Sequence, residues 1–197
     1  MITRKHTHLI NSLHMKRNIF IAALAVVFAG VLISFKVISN SWNVATKEAK
    51  ITWNMPNGKH NGTFEGLVAT FQFDPMNPAN SVLKASVDVN TVKSDAGEKL
   101  DGHLKTADFF DAANHPTIEF TAESITKTDS GYVANGKLHL RDSIKTIAVP
   151  FKFIQDGKKA TFKGQMSIYA GDYGIMKKSD KKNDLVVIDI EVPVSEE

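Results

Sequence analysis

The chain contains no cysteine. That absence excludes disulfides, thiol catalysis, cysteine-ligated zinc, iron–sulfur clusters and lipid attachment through a cysteine. Other chemistry is missing as well. No serine sits in a nucleophile elbow, no glycine loop has phosphate-cradling spacing, and no paired-carboxylate signature appears. Beyond residue 41 there is no long helical period. Acidic residues are absent from residues 1–41, which hold Arg4, Lys5, Lys16, Arg17 and Lys36. These are five of the 24 basic residues, so 19 basic face 21 acidic side chains over residues 42–197, a net of −2. The basic total of the whole chain therefore belongs to its leader, and the body has no positive excess to attract nucleic acid.

What is there begins with an apolar run, Ile19 to Phe35, broken only by Gly30 and Ser34. Met15-Lys16-Arg17-Asn18 precedes it as a charged n-region of the secretory kind. The run is at the short limit for a membrane span. Val27-Phe28-Ala29 offers a cleavage site, and Phe35-Lys36-Val37 gives no strong stop-transfer pattern. A cleaved signal peptide within residues 1–40 is the preferred reading, with an uncleaved N-terminal anchor second. A buried core helix fits poorly, because every face of the run is apolar. Positive charge before the run places the body outside the cytoplasm, periplasmic or otherwise, either soluble after cleavage or tethered near the membrane. Met15 is read as the true start, because the fourteen residues before it add nothing a leader needs.

Residues 41–197 read as one domain of strands. Period-2 alternation puts Leu83, Ala85, Val87 and Val89 on one face of 81–90, and Ile118, Phe120 and Ala122 on one face of 117–123. Ile147, Val149, Phe151 and Phe153 share a face of 146–153. Phe162, Met166 and Ile168 share one in 161–168, and Val186, Ile188, Ile190, Val192 and Val194 share one in 186–194. Further strands are expected at 42–46, 49–53, 63–73 and 132–140. Asn57-Gly58, Asn61-Gly62, Asp74-Pro75, Asn77-Pro78, Ser130-Gly131 and Asp156-Gly157 read as turns between them. Asn61-Gly62-Thr63 also fits a glycosylation sequon, and the turn is the preferred reading. Pro150 lies inside an expected strand and belongs at an edge, a bulge or a strand start, because it cannot donate to the ladder. Gly131, Gly136, Gly164 and Gly174 are candidate bends.

A single antiparallel sheet with one apolar face can bury it by closing on itself. About eight strands gives a barrel that is either filled by side chains or holds one small apolar ligand. A two-sheet sandwich would alternate in much the same way, so periodicity favours the barrel only mildly.

The segment from Asp101 to Phe120, DGHLKTADFFDAANHPTIEF, departs from this strand pattern. A short helical segment is expected near 98–112, stopped by Pro116. His103-Leu104-Lys105-Thr106-Ala107-Asp108-Phe109-Phe110-Asp111 and His115-Pro116-Thr117-Ile118-Glu119-Phe120 resemble the signature of the YceI family of exported, lipocalin-like proteins. Phe71-Gln72-Phe73-Asp74-Pro75, Val87-Asp88-Val89-Asn90-Thr91-Val92, Gly136-Lys137-Leu138-His139-Leu140 and Asp172-Tyr173-Gly174-Ile175 resemble other parts of it. The resemblance spans roughly Trp42 to Val194. There are departures: Arg141-Asp142-Ser143-Ile144-Lys145 keeps only the lysine of the family's turn, Tyr169-Ala170-Gly171 replaces a polar pair, and His115 stands where an aromatic is common.

The resemblance implies an all-β, eight-stranded antiparallel barrel whose apolar interior holds an isoprenoid chain, such as a polyprenyl lipid or a quinone tail. Each methylene buried there would contribute about 0.8 kcal/mol. On that fold the inward, ligand-lining positions are Phe71, Phe73, Leu83, Val87, Phe109, Phe110, Ile118, Phe120, Leu138, Leu140, Ile147, Phe151 and Phe153. No metal or other cofactor is expected beyond the lipid itself.

Three functions follow from these residues. The first is an extracytoplasmic lipid carrier or transport protein that works by non-covalent burial. The second is a partner-binding module of an envelope respiratory or stress complex, with a packed barrel. The third is a small lipid hydrolase or isomerase, which would need a polar cluster centred on His103. The body has only His60, His103, His115 and His139, and the twelve-residue spacing of His103 and His115 matches no ligand motif. Asp101, Asp108 and Asp111 read as caps of short helical turns. Lys177 to Asp184 and Arg141 to Lys145 read as solvated turns, with lipid head groups the alternative contact for the first. A monomer and a homodimer are both compatible with the sequence.

Overall fold

The computed structural model describes residues 41–176 and 183–197. The leader, the expected start at Met15 and residues 177–182 of the charge run lie outside the described residues. The strands are β1 (Ser41–Val44), β2 (Lys50–Asn54), β3 (Asn61–Phe64), β4 (Val68–Gln72), β5 (Val82–Asp88) and β6 (Lys93–Ser94). After one short helix, α1 (Glu98–Leu104), come β7 (Thr117–Thr128), β8 (Gly131–Leu140), β9 (Ser143–Asp156), β10 (Lys159–Tyr169) and β11 (Leu185–Glu196). Among the described residues no helix is long and apolar enough to cross a membrane.

The sheet closes. Strand β1 pairs with β4 through Trp42↔Phe71 and with β11 through Val44↔Val194, so the ring β1-β4-β5-β7-β8-β9-β10-β11 is an eight-stranded antiparallel barrel. Strand β2 continues past β1 along the same edge of β11, pairing Ile51↔Ile190 and Trp53↔Ile188. It carries β3 and β6 as an extension of the sheet. The expected strands are present except that over 63–73, and β7, β9 and β10 run a few residues longer than alternation marks them.

Three local expectations are corrected. The expected strand 63–73 is two strands, β3 and β4, because Gly66 takes a left-handed φ of 68° that breaks the pleat. Asn61-Gly62 is not a turn but the start of β3. Gly62 is required there because a Cβ would lie 2.7 Å from the Trp53 indole and 1.8 Å from the Lys93 carbonyl oxygen. The helical segment stops at Leu104. The Phe110 N–H bonds back to the Leu104 carbonyl and the Asp111 N–H to the Thr106 carbonyl, so residues 105–112 form turns instead.

Pro150 sits where the β9–β10 ladder ends. The last pair is Phe151↔Gly164, and β9 residues before it pair only with β8. A missing donor therefore breaks no bond with β10. Strand β7 carries an irregularity between Ala122 and Ser124 that keeps both Phe120 and Ile125 on the apolar side.

Candidate ligand-binding site

The barrel interior is packed at one end and hollow at the other. At the packed end Trp42, Phe71, Phe73, Tyr132, Phe151, Phe153 and Phe162 form one aromatic cluster. Phe151 meets Phe162 at 4.5 Å between ring centres, Phe73 meets Tyr132 at 4.9 Å, and Trp42 meets Phe153 at 4.9 Å. Their polar edges are satisfied: the Trp42 indole N–H donates to the Phe73 carbonyl at 3.0 Å, and the Tyr132 hydroxyl to the Pro75 carbonyl at 3.2 Å. Edge-to-face and offset rings of this kind are the favoured arrangements of aromatic pairs.

Toward the other end the inward side chains lose neighbours. Val87, Ile118, Phe120, Met166, Ile168 and Val186 lie on the apolar face yet are only half-buried. They border a cavity of about 400 Å³. That volume is within the range of small-molecule sites, about 300–1,000 Å³. Its walls are almost wholly apolar, and the few polar residues along it are Lys59, His60 and Asn183 near the loops and Thr70, Lys84 and Ser86 on β4 and β5, of which Thr70 and Lys84 are exposed.

The loops at this end are tied together. Leu100 and Leu104, one helical turn apart on α1, both reach the cavity. Phe110 packs edge-on against Phe64 at 5.7 Å, and Phe109 against the His103 ring at 4.7 Å. Arg141, in a left-handed conformation with φ 52°, donates from Nη1 to the Phe109 carbonyl at 2.5 Å and to the Gly174 carbonyl at 2.6 Å. The turn from Arg141 to Lys145 thus supplies a polar bridge to two distant segments. The Asn57 side chain donates to the Asn183 carbonyl at 3.4 Å, joining the β2–β3 turn to the start of β11.

Of the thirteen residues expected to line the interior, nine border the cavity: Phe71, Leu83, Val87, Phe109, Phe110, Ile118, Phe120, Leu138 and Leu140. Phe73, Phe151 and Phe153 lie in the aromatic plug, and Ile147 is partly buried against the core without bordering the cavity. Several bordering residues were not singled out from the sequence, among them Trp53, Phe64, Met166, Ile168 and Ile188. All lie on apolar faces at this end of their strands, and alternation gives no rank among them.

The histidines are not brought together around a reaction centre. His103 packs on Phe109. The His115 Nε2 lies 3.1 Å from Asp142 and 4.0 Å from Asp111, and His60 Nδ1 lies 3.5 Å from Asp95. Asp101 is buried and structural. The Ser94 N–H and hydroxyl both donate to its Oδ1 at 2.7 Å, and Lys93 lies 3.7 Å away. The hydroxyl bond, most of all, holds the Asp101 carboxyl below the usual carboxylate range; burial opposes it, and the Ser94 amide and the Lys93 and Lys105 charges add to it. Among the described residues no group of three or more His, Asp or Glu side chains is placed to hold a metal ion.

The family model described as YceI-like domain matches residues 42–195. The chain belongs to the YceI-like domain family. Its curated relatives include a UPF0312 protein of Azotobacter vinelandii, 31% identical over 123 residues that cover 59% of this chain and 64% of that protein. Protein YceI of an Escherichia coli O6:H1 strain is 33% identical, over 58% of this chain and 62% of that protein. The match thus spans less than two thirds of the length of these YceI-like relatives. Among solved structures, Burkholderia cenocepacia BcnA has the same fold, with a TM-score of 0.68 and 24% identity over 77% of this chain and 99% of that one. A polyisoprenoid binding domain from Saccharophagus degradans, implicated in plant cell wall breakdown, has a TM-score of 0.57 and 10% identity over 80% of this chain and 99% of that one.

Proposed function

We propose that this domain binds an apolar isoprenoid-type lipid, a polyprenyl lipid or a quinone, inside the barrel and carries it outside the cytoplasm. The observation that carries this reading is the apolar cavity of about 400 Å³ between the aromatic plug and the loops. Such a space gains little from water and much from hydrocarbon, at about 0.8 kcal/mol per buried methylene. The neighbouring fold described as a polyisoprenoid binding domain supports the same ligand class. Binding is by burial alone, with no covalent step and no metal. The apolar run at Ile19–Phe35 with Lys16 and Arg17 before it supports an extracytoplasmic location, near the membrane from which such lipids come.

Titration of lipid-free protein with an isoprenoid quinone and with a polyprenyl phosphate tests this. At least one of the two is expected to saturate the protein at about one per chain. Phe120→Asp, which puts a carboxylate into the cavity wall, is expected to abolish that binding. Saturable binding that survives in a folded Phe120→Asp variant would place the ligand elsewhere.

A further inference from the structure

On most strands only every second residue borders the cavity, as a two-residue period requires: Ile118 and Phe120 on β7, Ile188 and Ile190 on β11. On β4 and β5, alone among the described strands, consecutive residues border it, 69–71 and 83–87. Thr70, Lys84 and Ser86 fall on the outer side of the pleat, and Thr70 and Lys84 are exposed. What these three turn toward the cavity is therefore main chain.

The inward residues beside them explain why. Ala69 and Ala85 are paired directly across β4 and β5. A methyl group covers little of the backbone, so the wall is set back at this pair. Both alanines are only half-buried although they face inward. The recess is local. The next inward pair toward the plug is Phe71 and Leu83, both large and buried. On its other side Ala85 pairs with Phe120, which is half-buried and borders the same space.

We infer that Ala69 and Ala85 are the specificity-determining pair of this site: the recess they leave admits the methyl branches of an isoprenoid chain. This rests on the lipid-carrier reading of the same cavity. An isoprenoid chain carries a methyl branch on every unit and is wider than an unbranched alkyl chain. Protein interiors are close-packed and resist added width, so a wider chain passes only where the wall gives way. Larger residues at 69 and 85 would leave room for the unbranched chain alone.

Titrations of the lipid-free full chain test the inference. The probes are two matched pairs, a quinone and a phosphate monoester, each carrying either an isoprenoid tail or an unbranched tail of equal main-chain length. The wild-type chain is expected to prefer the isoprenoid tail. Ala85→Leu and Ala69→Leu are each expected to weaken the isoprenoid probe about tenfold and to leave the unbranched one nearly unchanged. Their melting temperatures are expected to hold or rise, because the added methyl groups enter free space. Either folded variant keeping the wild-type preference overturns the inference and leaves the carrier reading standing, as does a wild-type chain that binds both tails equally. A lowered melting temperature in both variants overturns it too, because the wall would then be already full. Failure of the wild-type chain to bind any of the four probes overturns the carrier reading with it.

Discussion

At the scale of single residues, two phenylalanines separate what stabilises the barrel from what would serve a ligand. Phe151 is buried in the plug, against Phe73, Tyr132 and Phe162. Phe120 is half-buried and borders the cavity. Phe151→Ala is expected to cost about 3–5 kcal/mol of stability and to leave lipid affinity nearly unchanged in the folded protein. Phe120→Ala is expected to cost less, about 1–2 kcal/mol, and to weaken lipid binding. Denaturant melts and lipid titrations of both variants check this. Asp101 gives a pH test. A carboxyl held below its ordinary range stabilises the fold above that range, and the contribution is lost as pH falls through the lowered value. The stability gap between wild type and Asp101→Asn is therefore expected to be full at pH 7 and to close below about pH 4. Alternation in the sequence named the face on which Phe120 and Phe151 both lie. It could not tell them apart, because a period of two reports the face of a residue and not its height along the barrel axis.

At the scale of elements, Arg141 is central to how the loops around the cavity are tied together. It joins the turn before β9 to the carbonyls of Phe109 and Gly174, two segments far apart in the chain. Arg141→Ala is expected to speed hydrogen exchange at residues 105–112 and 170–175 while the strand cores of β8 and β10 keep their protection. Uniform loss of protection would mean that the clamp supports the whole barrel. How much of each element the sequence revealed follows from its physics. Strands β5, β7, β9, β10 and β11 alternate cleanly and were legible. The break at Gly66 was hidden because apolar residues continue on both sides of it, as Phe64, Leu67 and Phe71. The Asn61-Gly62 pair has the composition of a turn. Its glycine instead makes room for an indole from the next strand, a tertiary demand that no local pattern carries. The clamp was out of reach for the same reason: the turn from Arg141 to Lys145 departs from the family pattern, and only the folded chain shows which carbonyls Arg141 meets.

At the scale of the molecule, the barrel divides its interior between stability and capacity. Seven aromatic rings close one end, and aliphatic and aromatic walls leave the other end hollow. The second function considered, a packed partner-binding barrel, predicts no such space. Native mass spectrometry of the full chain purified from a membrane-containing host, followed by solvent extraction, tests the account most directly. The account predicts an apolar isoprenoid lipid at about one per chain, lost on extraction. A lipid-free mass that stays lipid-free after incubation with quinones and polyprenyl phosphates would contradict it.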